Sequence, residues 1–273
     1  MTALRRSDER AMPVPDGLAF TLYAPFAALG DLAVGERRGG FDRPARSAIL
    51  GLVGAALGLD RADEAGHAGL DRGYRLAQRV RLGGTLVTDY HTVQAPPADR
   101  KAAYATRRDA LDRPAHRLNT LLSFRDYRED LWVDVALVRV ASDAPAPAVL
   151  AQALRRPVYT LYLGRKSCPL GRPPAPRCAE AVDRLAPLLD TPPSSAPEGG
   201  FDPFAPLASM RRSAEARLYA DADLAPLLAP DFRIDRVERR RDRVASRLRR
   251  HFTLRDEIVA SPAGASSEPE PAS

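Results

Sequence analysis

The chain has 273 residues, 45% of them hydrophobic and 28% charged, with 41 basic against 35 acidic side chains and a formal net charge of +6. That balance suits a globular protein of one large or two small domains and favours an acidic partner without naming one. No run approaches the roughly 18 apolar residues of a membrane span. Arg5, Arg6, Asp8, Glu9 and Arg10 fall where a signal peptide carries its apolar region, so a cytoplasmic protein with no membrane partner is expected. Two cysteines, Cys168 and Cys178, are too few for a disulfide framework and lack zinc-ligand spacing, so both are expected as reduced thiols, with no metal and no cofactor.

Residues 1–17 read as a polar, proline-broken leader, and residues 18–23 as a first strand. Residues 44–58 read as a helix: Ile49, Leu52, Val53, Ala56 and Leu57 recur at helical spacing, Pro44 suits the first turn and Gly58 the stop. Ser47, Gly51, Gly54 and Gly58 form a second, small stripe that permits close backbone approach. Residues 74–82 alternate, with Tyr74, Leu76, Val80 and Leu82 on one face and Arg75, Ala77, Arg79 and Arg81 on the other, which predicts a strand with one basic face. Gly83 and Gly84 turn the chain, residues 85–93 return as a hairpin arm, and residues 94–117 form an exposed basic insertion carrying Arg107 and Arg108. A strand at 132–140, a short helix at 147–155 and a last strand at 158–163 complete the pattern.

That last strand runs through Tyr159, Thr160, Leu161, Tyr162 and Leu163 into Gly164, Arg165, Lys166, Ser167, Cys168 and Pro169. Val158, Leu161 and Leu163 are expected to anchor it in a core. Gly164 lets the backbone turn or approach a ligand, and Arg165 with Lys166 supplies a planar fork and a point charge suited to phosphate. Tyr159 and Tyr162 lie close enough to stack on bases. The region reads as a polyanion clamp.

The motif Pro157-Val158-Tyr159-Thr160-Leu161-Tyr162-Leu163-Gly164-Arg165-Lys166-Ser167-Cys168-Pro169 resembles a signature of the CRISPR-associated CasD family, the type I-E Cascade subunits of the RAMP superfamily. Three further blocks occur in the family's order: residues 43–58, then Asp89-Tyr90-His91-Thr92-Val93, then Phe124-Arg125-Asp126-Tyr127-Arg128. One block departs. Where the family commonly reads Gly-Pro-x-Gln-Ser-Trp-Gly, this chain has Ala24-Pro25-Phe26-Ala27-Ala28-Leu29-Gly30, which removes the polar and indole groups and any contact they make. The element order of strand, helix, strand, insertion, strand, helix, strand fits an α+β, ferredoxin-like fold related to RNA-recognition modules. The resemblance implies the same RAMP palm over residues 18–188, with a long β-hairpin thumb inserted at about 83–130. A proline- and serine-rich linker at 189–206, a basic segment at 207–260 packing on the palm and a disordered tail at 261–273 follow.

The resemblance implies a noncatalytic subunit that grips the five-prime handle of the CRISPR RNA and caps a filament of backbone subunits. Its expected partners are that RNA, the Cascade backbone subunit, the large subunit and, indirectly, target DNA. Expected RNA contacts are Arg165, Lys166 and Ser167 with Tyr159 and Tyr162, and Arg107 and Arg108 of the insertion. Arg46 and Ser47 at a helix start are candidates for a phosphate or for ordinary capping. Arg125 and Tyr127 offer a phosphate contact and a stacking platform, unless Asp126 or Asp130 neutralises the arginine. His91 is an RNA hydrogen-bonding residue or a structural one. The competing reading is a metal-independent endoribonuclease that processes precursor CRISPR RNA, because relatives in type I-C systems cut with a Tyr, Lys and His set, and Tyr90, His91 and Lys166 supply those types. Residues 232–252 carry nine arginines, partly offset by Asp231, Asp235, Glu238 and Asp242, and read either as a solvated helix face or as a functional basic element. Arg249-Arg250-His251-Phe252 resembles the family's C-terminal Arg-x-Phe element.

Overall fold

A computed structural model describes residues 15–30, 35–99, 102–190 and 216–264. Its elements begin with β1 (Gly17–Ala27), β2 (Arg37–Arg38), α1 (Arg46–Leu57), α2 (Glu64–Gly73) and β3 (Tyr74–Leu82). There follow β4 (Thr85–Ala95), α3 (Arg107–Leu111), β5 (Asn119–Arg139), α4 (Pro147–Arg155), β6 (Arg177–Ala179) and α5 (Leu185–Asp190). β7 (Leu218–Asp221), β8 (Phe232–Ser246) and β9 (His251–Pro262) close the described chain. The fold is mixed α/β and is organised on one large sheet in the order β6-β1-β5-β3-β7-β9-β8, antiparallel along that path.

Alternation along the strands fills two cores, one on each side of the sheet. Leu18, Phe20 and Leu22 of β1, Leu76 of β3 and Leu131, Val133, Val135 and Leu137 of β5 pack against α1 and α4 on one side. Ala19, Ala77, Ala136 and Val138 turn to the other side, which β7 and β9 continue with Leu218 and Ile258 and against which α5, Leu224 and Leu228 pack. α1 forms where the periodicity places it, and its chain stops at Gly58 in the left-handed region with φ of 80°. β5 is 21 residues long because it serves two layers. Its second half lies between β1 and β3, while its first half pairs with β4 from Thr85↔Glu129 to Ala95↔Asn119 and leaves the body of the sheet as a hairpin. Among the described residues no helix is long and apolar enough to cross a membrane.

Several expectations change. Residues 158–163 are not a strand: the amides of Val158 and Tyr159 donate to the carbonyls of Ala56 and Ala55, so the segment caps the C-terminal end of α1 instead of joining the sheet. The edge beside β1 goes to the three residues of β6. Val158 is 65% exposed, whereas Leu161 and Leu163 do enter the core. The basic face of β3 is neutralised by the chain itself, since Arg75 pairs with Asp223, Arg79 with Asp190, and Arg81 with Asp134. Residues 232–252 form no helix; β8 and β9 make a hairpin that extends the sheet. Ser261 and Pro262 close β9 before the tail, Leu189 and Asp190 end α5, and the remainder of the linker (191–206), like residues 1–14 and 265–273, lies outside the described residues.

Candidate nucleic-acid interface

The joint between α1 and the C-terminal hairpin decides which arginines are available. Arg43, Arg46, Arg240 and Arg255 are all buried there. The Arg46 guanidinium donates to Asp71 and Asp221, and its backbone N–H donates to the Asp242 carboxylate at 2.8 Å. Arg255 donates to Asp242, Asp221 and Glu257, and Arg43 donates to Glu257 and Glu238. Burial pushes the Asp242 carboxyl up, yet the hydrogen bonds and charge of Arg255, the Arg46 amide and Arg240 together hold it below the usual carboxylate range. The expected phosphate at this helix start is therefore corrected for Arg46: the anion seated there is Asp242, and Arg46 is an internal ion-pair residue. Ser47, one residue on, is half-buried and lines the groove described below.

The clamp motif folds into a tight turn. Tyr162 and Pro169 form a β-bridge, the Leu163 amide donates to the Cys168 carbonyl at 2.9 Å, and the Cys168 amide donates to the Arg165 carbonyl at 2.8 Å. Gly164 has φ of 85°, and a Cβ there would stand 1.7 Å from the Ala28 carbonyl oxygen. Its close approach is thus to the protein's own backbone, and the Ala28 amide in turn donates to the Leu163 carbonyl at 3.0 Å. The altered stretch at 27–29 is the seat of this turn, and it needs small or buried residues more than polar ones: Ala28 and Leu29 are each 6% exposed.

From this seat Lys166 and Ser167 project into solvent, while the Arg165 guanidinium lies over the Tyr127 ring of β5, 4.7 Å from its centroid. One Arg165 terminal nitrogen, Nη1, is buried without a hydrogen-bond partner among the described residues. Tyr127 also meets Phe26 edge-on at 6.5 Å, so one ring face is occupied by Arg165 and is not an open stacking platform. Beside Arg165, a cavity of about 300 Å³ is lined by Ala28, Ser47, Asp126 and Leu163. Asp126 accepts from Thr88 and Arg37 and does not pair with Arg125, whose Nε donates to Ser123. On the far side of Gly164, Tyr159 and Tyr162 are 48% and 41% exposed, enough to present ring faces.

His91 and the insertion stand apart from this centre. His91 lies opposite Ser123 on the β4–β5 ladder, and Tyr127 lies opposite Val87, four positions away. At about 3.3 Å per residue that is about 13 Å of strand. His91 is paired with Asp89 on its own strand. Arg107 and Arg108 sit exposed on α3, and Arg107 donates to the Gln94 carbonyl at the end of β4. Arg165, Lys166, Ser167, Tyr127, Tyr159, Tyr162 and Ser47 therefore share one region, Arg125 lies on β5 two residues from Tyr127, His91 stands farther along the hairpin, and Arg107 and Arg108 extend beyond it.

Sequence reasoning missed Arg61, which lines a second groove with Tyr159 and Tyr162, and did not set Arg247, which lines it too, apart from the other arginines of residues 232–252. Arg250 and Phe252, noted only for their motif, line it too. Only that Arg-x-Phe pattern pointed towards them.

The family described as CRISPR-associated protein (Cas_Cas5) matches residues 17–247. The CRISPR system Cascade subunit CasD of Escherichia coli (strain K12) is 31% identical over 181 residues, covering 63% of this chain and 75% of that protein. A chain of a CRISPR RNA-guided surveillance complex superposes with a TM-score of 0.58 at 21% identity, over 90% of this chain and 91% of that one. A solved Cas protein gives 0.49 at 20% identity, over 89% and 94%.

Proposed function

This chain belongs to the CRISPR-associated Cas5 family, and from that premise we propose that it is a noncatalytic subunit of a type I-E Cascade complex, holding the five-prime handle of the CRISPR RNA and capping the backbone filament. The observation that carries this reading is the locked turn after α4. It offers Lys166, Ser167 and Arg165, with two exposed tyrosines, as a fixed cation-and-aromatic surface. Single-stranded RNA is held by such surfaces through phosphate contacts and stacking. The order β6-β1-β5-β3, with α1 and α4 on one side, supports the ferredoxin-like palm. The β4–β5 hairpin, ending in the basic α3, supports the thumb and its contact with a backbone subunit, while the palm meets the large subunit. Target sequence is read by guide base pairing, so this subunit needs shape and phosphate recognition first. The nuclease reading is the weaker one: about 13 Å of ladder separates His91 from the Tyr127 position where the clamp turn docks, and Asp89 already holds its imidazole.

Binding of handle RNA to the purified chain, titrated against salt, tests the proposal. About five phosphate contacts give a log–log slope near −3.5. The double variant Arg165→Ala/Lys166→Ala removes two charge-assisted contacts of about 1.5–3 kcal/mol each, so affinity falls by about a hundredfold or more while the fold survives. Wild-type affinity and normal entry into Cascade for that variant would assign both cations to the solvated surface.

A further inference from the structure

A groove of about 500 Å³ lies on the other side of the clamp segment, between the small face of α1, residues 159–164 and the turn joining β8 to β9. Three features make it unusual. The α1 side of its floor is low at Ser47, Ala48 and Gly51, with Leu52 the larger α1 side chain beside them. Its walls present aromatic surface: Tyr159 and Tyr162 on one side and Phe252, 42% exposed, on the other. Its charge is one-sided, since Arg61, Arg247 and Arg250 line it and the single acidic lining residue, Asp60, is engaged with the Ala62 amide.

Arg247 is the centre of the argument. The β8–β9 turn is pinned to the first turn of α2, where Glu64 accepts hydrogen bonds from the Ser246 hydroxyl and the Leu248 amide. That anchor leaves the intervening Arg247 side chain to lie across α1, with both terminal nitrogens 3.6 Å from where a Gly51 Cβ would be. Its Nε is buried and has no hydrogen-bond partner, and among the described residues Arg247 has no carboxylate partner. Burial and the nearby Arg61 both push its pKa down. A guanidinium stays protonated in a protein, so a half-buried cation beside another cation is a standing demand for an anion.

We propose that this groove receives one nucleotide of the bound RNA, its phosphate on Arg247, Arg61 and Arg250 and its base against Tyr159, Tyr162 or Phe252. The volume lies in the range that encloses a small ligand, and an arginine cluster facing aromatic rings matches the two chemistries of a nucleotide. The C-terminal hairpin becomes the second jaw of the RNA site. This rests on the reading that the chain binds handle RNA, and it adds a base-sized subsite across Gly164 from the Arg165 and Lys166 turn.

The full chain is titrated with handle RNA in three forms: wild type, Arg247→Gln/Arg250→Gln, and Gly51→Leu. The first variant removes two cations but not the backbone anchored by Glu64; the second keeps every cation, fills the floor and replaces a helical glycine by a better helix former. The expected result is at least about a tenfold loss for each, with the salt slope shallower by up to about 0.7, the share of the groove's one phosphate, for the double variant. Handle RNA carrying 5-iodouridine should crosslink to Tyr159, Tyr162 or Phe252. If wild type binds RNA and both variants bind equally well, the subsite is overturned while the RNA reading stands; if wild type binds no RNA, both fall. Adenosine monophosphate is titrated in parallel. Arg247-dependent binding of that free nucleotide, with RNA affinity unaffected by either variant, would overturn the RNA assignment of the groove.

Discussion

Arginine does opposite work in two neighbouring regions of this molecule. At the joint between α1 and the C-terminal strands, Arg43, Arg46, Arg240 and Arg255 are between 3% and 9% exposed, and Asp221, Asp242 and Glu257, equally buried, meet them. Around the clamp turn and the β8–β9 turn, Arg165 stacks on Tyr127 with one nitrogen unpaired, and Arg247 lies over a glycine. The difference is in the carboxylates. A guanidinium whose burial is shared by acids is part of the fold, and one left without them is available to a ligand.

The largest expected effect breaks the first region. Asp242→Ala removes an acceptor shared by Arg255, the Arg46 amide and the neighbouring Arg240, leaving the buried cluster one carboxylate short, so unfolding free energy should fall by about 3–5 kcal/mol in a urea titration. Arg165→Ala/Lys166→Ala, outside that network, should cost about 1 kcal/mol, the worth of the Arg165 stack on Tyr127. Equal losses for the two would erase the distinction between the regions.

A second perturbation sharpens the other side. Gly164→Ala puts a methyl group into the Ala28 carbonyl and forces a left-handed backbone on a residue with a Cβ, a cost of at least about 1 kcal/mol. The turn must leave its seat, carrying Arg165 off Tyr127 and Lys166 with it. Handle affinity should then drop about as far as in the double alanine variant, although every cation is still present. Undiminished binding would mean that the turn's charge matters and its geometry does not.

How far this division was legible in the sequence depends on which interactions write a hydropathy pattern. α1 was legible because its large apolar residues recur at helical spacing, β1 because it is a short apolar run, buried on both faces, and β3 because its large apolar residues alternate with arginines. β8 was not. Its inward positions, Glu238, Arg240, Asp242 and Val244, do alternate with outward arginines, but three of the four are charged, so the period of a strand is carried by ion pairs that a hydrophobic count does not register. The strand expected at residues 158–163 failed for the opposite reason. Residues 158–163 have the apolar look of a strand, yet their amides serve the open carbonyls of α1, and the sheet edge went to Arg177, Cys178 and Ala179, which carry no apolar signal. Of the proposed RNA residues, the clamp turn was visible as a local motif. Arg46 was misread because Asp221, which accepts from its guanidinium, and Asp242, which accepts from its amide, lie 175 and 196 residues away, and Arg247 was not set apart from its neighbours because nothing local ties it to Gly51.

The smallest effect joins the two regions through His67. It is 8% exposed beneath α1, its Nε2 lies 3.2 Å from the Asp60 carbonyl, and its ring occupies the space that Gly54 leaves open. Burial first, and then the Arg247 charge, push its pKa down, against the opposing pull of the Asp60 carbonyl and of Asp63 and Asp60. The unfolded imidazole titrates near 6.5, so between that value and the lower folded pKa the unfolded chain binds more protons. Stability from this group is therefore complete above about pH 6.5 and declines as pH falls towards the folded value. Urea midpoints taken from pH 7.5 downward should show that decline in wild type and lack its His67 component in His67→Gln. Arg247→Gln should weaken it, because one of the two depressing causes is gone. A decline of equal size in Arg247→Gln would mean that the cation is already neutralised over Gly51, and Arg247 would then belong with the paired arginines of the joint and not with the ligand-seeking ones.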